Sequence, residues 1–471
     1  MSGTRQHAPS ESLGRAIVVG FASAVAVWIT WFITHLPWVG MSEQASLPVV
    51  LAAWLLAAAV AVAWAGGSRT MLVGAMGGVM CALVSLLVLG SKIVPEVSSG
   101  PAPGGMRGTL PPIALIVPGF LLLGATIGLV GSLLAKALPR PHQGETRPLA
   151  QLGVVVAVGI TPLLVVGGLV TSTDSGMAVP DWPNTYGTNM FLYPLGPRSD
   201  SGLFLEHSHR LFGSLVGLMT LVLTAWVIAT EARRWVKVVA GVALTLVIAQ
   251  GMLGGWRVLA GSEVAAEDNR LLAMLHGVLA QLVFGVVVGL AAVLSPLFIS
   301  AAKVPAHGSI RRFKVFSAGL THALILQLIF GAMYRHMRSS HALWTHAGFA
   351  VVVLILAIVA GIVAISLTRR AEGEDAPAGP AAGVPALACT LRRIGIGLVV
   401  VVGLQFALGW AAFFVGGAER TAASPLEALV RTSHQANGAI LISLAALAFV
   451  WSRWTLRRAG VSADSPRVPA A

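Results

Sequence analysis

What this chain has little of narrows the field first. Only 10% of its 471 residues are charged, against about 25% in an ordinary soluble domain. Cysteine occurs twice: Cys81 lies in a long apolar run and Cys389 near a polar break. That leaves no pair for a disulfide on the outer side, and thiol chemistry is not expected. Acidic residues number 18 against 31 Lys and Arg, a formal charge of +13. Such an excess can signal nucleic acid, but here the basic residues are spread through the polar breaks and form no stripe or arm, which argues against that partner.

What is abundant is apolar surface. Hydrophobic residues make up 56% of the chain and mean hydropathy is +0.83, the composition of an all-α integral membrane protein in a lipid bilayer. A helix of about 20 residues crosses a hydrocarbon core of about 30 Å. Twelve runs of that length are expected near 15–36, 46–65, 70–91, 113–137, 149–171, 210–231, 236–256, 272–294, 314–334, 345–367, 393–415 and 433–452. The first run is too long for a signal-peptide core and no small-residue cleavage site follows it, so it is kept as a span. Placing both termini in the cytoplasm puts 21 of the 31 basic residues inside, including Arg147, Arg233, Arg311 and Arg453. The positive-inside rule is then satisfied, and a multi-pass protein of the cell's inner (plasma) membrane is expected.

Two breaks divide the chain. Residues 95–112, "PEVSSGPAPGGMRGTLPP", read as a non-helical outer loop, and residues 369–386 as a polar cytoplasmic linker. The expected organisation is a four-span extension of unknown role (1–145), two four-helix halves (146–300 and 301–458) and a tail (459–471). The halves echo each other. "VIAQGMLGGWR" (247–257) resembles "VVGLQFALGW" (401–410), and each precedes a helix that opens with a histidine, His276 and His434. His209 and His346 open the preceding pair of histidine-bearing helices. Two pseudo-repeated four-helix bundles follow.

All four histidines fall near the start of spans entering from outside, and so at similar depth. One imidazole at a helix end is more often interfacial or bonded to backbone than a ligand; the repetition is what favours ligation. Neutral imidazoles from facing helices can supply both axial nitrogens to a heme iron, so two pairs imply two hemes. His322, without a counterpart, is expected to be a satisfied core residue. His7, His142 and His307 fall in cytoplasmic segments and His35, His336 and His341 near the outer interface, and solvation is expected for these six.

Glu206 lies three residues before His209 and shares its helix face if the helix starts early enough. There it is a candidate proton acceptor or stabiliser of positive charge, with macrodipole compensation at a helix N-terminus as the plainer alternative. Arg210, Arg257 and Arg431 stand on the outer side, against the charge rule, beside these motifs. A forked guanidinium could hold heme propionates there, and snorkelling to outer headgroups is equally compatible.

These residues carry a family resemblance. "GGLVTSTDSGMAVPDWPNTYG" (167–187), "EHSHR" (206–210), "QGMLGGWRV" (250–258) and the helix-opening histidines resemble the heme A synthase family over about residues 150–455. The resemblance implies eight helices in two similar halves and oxidation of the C8 methyl of heme O to a formyl group by successive hydroxylation, with the oxygen drawn from water. It implies that His209 and His276 flank the substrate heme, that His346 and His434 hold a permanent heme b, and that Glu206 assists at the methyl. It further implies a role in cytochrome oxidase assembly, delivery of heme O by a heme O synthase, and an electron acceptor that the sequence does not identify; a homo-oligomer stays open. This chain departs from the family pattern in lacking an outer-loop cysteine pair at 184 onward, in carrying Ser172 where an arginine is frequent, and in its leading four spans.

Two other readings fit part of the pattern. A diheme b-type cytochrome exchanging electrons with quinone would keep four histidines but would not need Glu206 or "PDWP". A transporter would suit repeated four-helix units, but the ionisable residues gather near one face and no pair of broken helices meets at mid-membrane.

Overall fold

The computed structural model describes residues 11–93, 113–139, 147–195, 199–261, 266–300, 308–337, 339–369, 383–416 and 424–454. Among these the regular elements are helices, as expected for backbone that must satisfy its own polar groups in lipid. They are α1 (Glu11–His35), α2 (Glu43–Ala65), α3 (Thr70–Ile93), α4 (Ile113–Leu134), α5 (Pro148–Ser172), α6 (Ser201–Thr230), α7 (Arg234–Leu259), α8 (Ala266–Leu294), the short α9 (Pro296–Ser300), α10 (Gly308–Met337), α11 (Ser340–Arg369), α12 (Gly383–Gly416) and α13 (Pro425–Trp454). Twelve of these, all but α9, are long and apolar enough to cross a membrane. The protein is a multi-pass, all-helical membrane protein. Most of the 95–112 and 369–386 breaks, the tail, and His7, His142 and His307 lie outside the described residues.

Several helices start earlier than their apolar runs, and this matters for the chemistry. Runs beginning at 210, 272, 345 and 433 belong to helices that begin at Ser201, Ala266, Ser340 and Pro425. For α6 the cause is visible. The Asp200 carboxylate accepts from the backbone N–H groups of Gly202 (2.8 Å) and Leu203 (3.2 Å), an N-cap that starts the helix two turns before the greasy stretch. Glu206, His207, His209 and Arg210 are therefore all helical.

The chain forms two compact units that cut it differently from the three blocks read in the sequence. The first comprises residues 1–294 with 412–436, and the second residues 295–411 with 437–471. In the first unit the leading four spans share a core with the first half. Gly74 and Gly78 of α3 face Gly124 and Gly128 of α4, each where a Cβ would run into backbone or side chain of the other helix. Small residues four apart let two backbones touch, the usual way helices adhere where lipid removes the hydrophobic drive. On α1, Phe32 stacks on Phe204 of α6 (5.6 Å) and Trp28 meets Phe212 edge-on (6.0 Å). Gln151 of α5 donates to the Trp64 carbonyl of α2 (2.7 Å). Arg15, buried within α1, pairs with Glu11 and donates to the Ala65 carbonyl at the end of α2. The leading spans thus form the wall against which α5 and α6 are set.

At the polar end of α6, Glu231 accepts from Arg233 (2.9 Å) and from Arg147 at the start of α5 (3.1 Å). Hydrogen bonding to Arg233 first, reinforced by Arg147, holds this carboxyl down at about 2.

In the second unit Gly361 of α11 and Gly395 of α12 pack backbone to backbone. Ser317 and Ser452 share a hydrogen bond (2.8 Å), and Asn437 donates to Gln405 (2.8 Å) and to the Val401 carbonyl (3.0 Å).

Two histidine expectations need correcting. His35 is buried rather than solvated: its ring stacks on Trp31 (5.3 Å) and its Nδ1 lies 2.8 Å from the Trp31 carbonyl. His322 is exposed on α10 rather than in the core, with Nδ1 bonded to the Ala318 carbonyl one turn earlier (2.8 Å). A histidine can satisfy one nitrogen on its own helix, so neither residue needed the surroundings its sequence position suggested. Cys81 is buried and Cys389 exposed, both as free thiols.

Candidate functional site

In the first unit α6 and α8 bring His209 and His276 together, with ring centres 6.3 Å apart and planes at 73°. This spacing can be tested against an iron between them. A metal–imidazole bond of about 2 Å, plus about 1.1 Å from nitrogen to ring centre on each side, puts two trans imidazoles about 6 Å apart. The pair fits. Two imidazoles alone suit a group whose other ligands are its own, as the macrocycle of a heme provides.

Each ring is seated on a glycine of the preceding helix. A Cβ at Gly167 (α5) would lie 2.9 Å from Cε1 of His209, and one at Gly254 (α7) would lie 2.9 Å from Cε1 of His276. The rings pass close to bare backbone, where the Leu163 and Gln250 carbonyls approach them. Neither Nδ1 reaches full hydrogen-bond geometry. A proton on Nδ1 directed at such a carbonyl leaves the Nε2 lone pair for a metal.

The outer-loop residues 173–195 are fastened to α6 by the cluster that makes it so polar. Arg210 donates through Nη1 to the carbonyls of Asp181 (2.7 Å) and Asn184 (2.8 Å), and through Nη2 to the Val179 carbonyl (3.1 Å) and Glu206 (2.8 Å). The other Glu206 oxygen accepts from the Val179 N–H (2.8 Å). The two side chains are 8% and 5% exposed, a buried ion pair whose remaining valences all go to the loop. Four bonds leave Arg210 little to offer a propionate, so its geometry assigns it to the loop.

Further contacts complete this fastening. Thr185 bonds to His207 Nδ1 (3.0 Å), and Tyr193 packs on the same imidazole (5.5 Å). Asp181 accepts from the amides of Tyr186 (2.8 Å) and Gly187 (2.7 Å), and Tyr186 donates its hydroxyl to the Ala178 carbonyl (2.6 Å). Trp182 lies over Gly255, the neighbour of the glycine that seats His276. The "PDWP" and "LGG" motifs are thereby one contact: the first glycine receives a histidine and the second a tryptophan.

Arg257 differs from Arg210. Its Nε donates to Asn269 (3.2 Å), and Asn269 returns a bond to the Arg257 carbonyl (3.1 Å). None of its described hydrogen bonds uses the terminal nitrogens, which lie against Gly176 with Glu206, Asp174, His209 and His276 as electrostatic neighbours. Arg431 is paired with Glu427 one turn earlier and packs against Gly416. Ser172 shares a hydrogen bond with Thr432 (3.3 Å).

His346 belongs to the second unit and is seated as His276 is. It donates Nδ1–H to the Gln327 carbonyl (3.0 Å), receives the Gln327 amide on its own carbonyl (2.9 Å), and lies 2.8 Å from the Cβ position of Gly331. His434, half-buried, lies in the part of α13 that belongs to the first unit. Three residues before His346 stands Leu343, where His209 has Glu206.

The anchoring roles of His207, Gln250, Gln327 and the seating glycines were not read from the sequence, although one signal was there. Gln-x-x-x-Gly recurs at 250/254, 327/331 and 405/409, each ahead of a helix with one of the histidines.

Fold and site together define a polytopic helical membrane protein with a buried histidine pair roofed by a pinned loop. Residues 150–352 match the family model described as Cytochrome oxidase assembly protein, COX15-CtaA, so the match to this family covers part of the chain. A protein of Halalkalibacterium halodurans named Heme A synthase is 31% identical over 134 residues, 28% of this chain and 42% of that one. Heme A synthases of two Rhodopseudomonas palustris strains are 27% identical over 210 residues (39% and 55% of the two chains) and 25% identical over 231 (42% and 60%). The chain thus spans about two fifths to three fifths of the length of these relatives.

Proposed function

We propose that this protein is a heme A synthase, an oxidoreductase of the cell's inner (plasma) membrane that converts the C8 methyl of heme O to a formyl group for cytochrome oxidase assembly, with both termini cytoplasmic. The spacing of His209 and His276, 6.3 Å between ring centres and wide enough that one iron could be held between them, carries the reading. Glu206, which precedes His209 where Leu343 precedes His346, supports assigning the first half to the substrate and the half that carries His346 to a resident heme b. The family match over residues 150–352 supports the heme A synthase reading.

Bound heme supplies the iron and, as heme O, the methyl group to be oxidised. The change from methyl to formyl takes one oxygen from water and releases four electrons and four protons, so an electron acceptor is required. His209 and His276 would hold the heme iron between α6 and α8. Glu206, paired with Arg210 and accepting from the Val179 N–H, lies three residues before His209 on α6, where it would stabilise positive charge developing on the substrate. Trp182 and the pinned loop limit water to what the geometry admits. Arg257, with uncommitted terminal nitrogens, is the propionate contact of this half, and Arg431 is the corresponding residue proposed for the other.

The test is expression in a host that makes heme O but not heme A, followed by chromatography of extracted hemes. Heme A or its alcohol precursor is expected. A folded, heme-loaded protein yielding heme b alone overturns the proposal and leaves a diheme electron carrier. Retention of wild-type heme content and spectra in Arg257→Ala and Arg431→Ala removes the propionate roles.

A further inference from the structure

Two histidines on different helix pairs are held by the same device. Gln250 donates its side-chain amide to the His276 carbonyl (2.8 Å), and its own carbonyl approaches the His276 ring. Gln327 does the same to His346, with both bonds formed at 2.9 and 3.0 Å. In each case the glycine one turn later, Gly254 or Gly331, clears the space for the imidazole. Gln327 therefore grips its histidine twice, by side chain on its backbone and by backbone on its ring, while Gln250 bonds the His276 backbone and turns its own carbonyl toward the ring without a full hydrogen bond; in each case the glutamine sets the position of the helix turn and the direction of the ring.

The third seat is incomplete. His209 has the glycine, Gly167, and the carbonyl of residue 163, but that residue is leucine and has no amide to donate. Of the two imidazoles at the first-unit site, His276 has a glutamine amide on its backbone and His209 has none from residue 163.

We propose that Gln250 and Gln327 are positioning residues, each fixing one ligand histidine, His276 or His346, by a side-chain amide on its carbonyl and a backbone carbonyl toward its Nδ1. The inference rests on the heme reading above but not on the identity of the reaction. A ligand imidazole whose Nδ1–H meets a carbonyl is a stronger donor to iron, and losing such an outer partner typically weakens metal retention about 10- to 100-fold. Gln250 thereby acts on the first site alone and Gln327 on the second alone, with His276 the fixed wall of the first site and His209 the side that yields.

The experiment compares full-length wild type, Gln250→Leu and Gln327→Leu, purified from a host supplying both heme b and heme O. It measures each heme extracted per chain, the low-spin electron paramagnetic resonance signal, and the midpoint potential of each heme. Gln327→Leu is expected to lose heme b about 10-fold more readily, or to shift its signal and raise its potential, with the first-site heme unchanged; Gln250→Leu is expected to do the reverse. The unaffected heme reports that each variant is folded. Wild-type retention, signals and potentials in both variants overturn the positioning role. So does loss of both hemes from either variant, because the device acts on one histidine at a time. Wild type that binds no heme defeats the heme reading itself, a result distinguishable from either.

Discussion

Arg210→Ala would remove the centre of the outer-loop anchor. The substitution deletes four hydrogen bonds, to the carbonyls of Val179, Asp181 and Asn184 and to Glu206, and leaves the Glu206 carboxylate 5% exposed without its cation. Breaking a buried ion pair by removing one partner costs about 3–5 kcal/mol, chiefly for the stranded charge. Even about 3 kcal/mol, at 1.4 kcal/mol per factor of ten, means about a hundredfold greater population of the unlatched loop. Hydrogen exchange reads this directly, because the Val179 N–H donates to Glu206 and the Tyr186 and Gly187 amides donate to Asp181. Their exchange should accelerate about a hundredfold, while amides in α3 and α4 keep wild-type rates. Arg210→Lys, with one charge but no fork, should fall between. Glu206→Ala combined with Arg210→Ala should cost less than the two separately, since the orphaned charge is gone. Unchanged protection at Val179 in Arg210→Ala would refute the assignment of this arginine to the loop.

Gly331→Ala places a methyl 2.8 Å from Cε1 of His346, and Gly254→Ala places one 2.9 Å from Cε1 of His276. Carbon contacts relax to about 3.5 Å, while ligand distances tolerate about 0.2 Å; each variant should therefore lose its own low-spin heme band, and full wild-type bands would contradict the seating. Glu231 titrates at about 2 in the folded protein against an ordinary 4.5. A depressed carboxyl contributes stability that is fully present above pH 4.5 and lost as pH falls toward 2, so thermal unfolding in detergent should show Glu231→Gln less stable than wild type at pH 6, with the difference vanishing near pH 2. A constant difference across that range would remove the ion-pair explanation. Gly78→Leu forces α3 away from α4 at a backbone contact; overpacking of this kind costs about 1–3 kcal/mol or more, and an unchanged unfolding temperature would show that the two helices do not depend on the contact.

Much of the fold was legible because lipid imposes one strong rule on sequence: a span must be long, apolar and helical. The twelve runs were therefore visible, and so were the four histidines, since an imidazole is conspicuous against Leu, Val and Ala. The starts of α6, α8, α11 and α13 were less legible. A hydropathy window sees only the apolar part of a helix, while α6 is started by a cap at Asp200 that lies outside it. Arg210 looked like a propionate ligand because its type and place allow that role; only the positions of three loop carbonyls show where its N–H groups go. His35 and His322 exchanged their expected surroundings for the same reason, since burial depends on the neighbouring helix and not on depth along the chain.

By itself the sequence determined the solvent of this protein and the number of its spans, and singled out four histidines as candidates, because composition and spacing act through short-range rules. Tertiary structure alone decided that His209 and His276 stand 6.3 Å apart, that one glycine of a pair receives a histidine and the other a tryptophan, and that the leading spans back α5 and α6. Those outcomes depend on which helix faces which. In a bilayer that choice is made by close packing of small residues and a few buried polar bonds, whose energies exist only once distant segments meet.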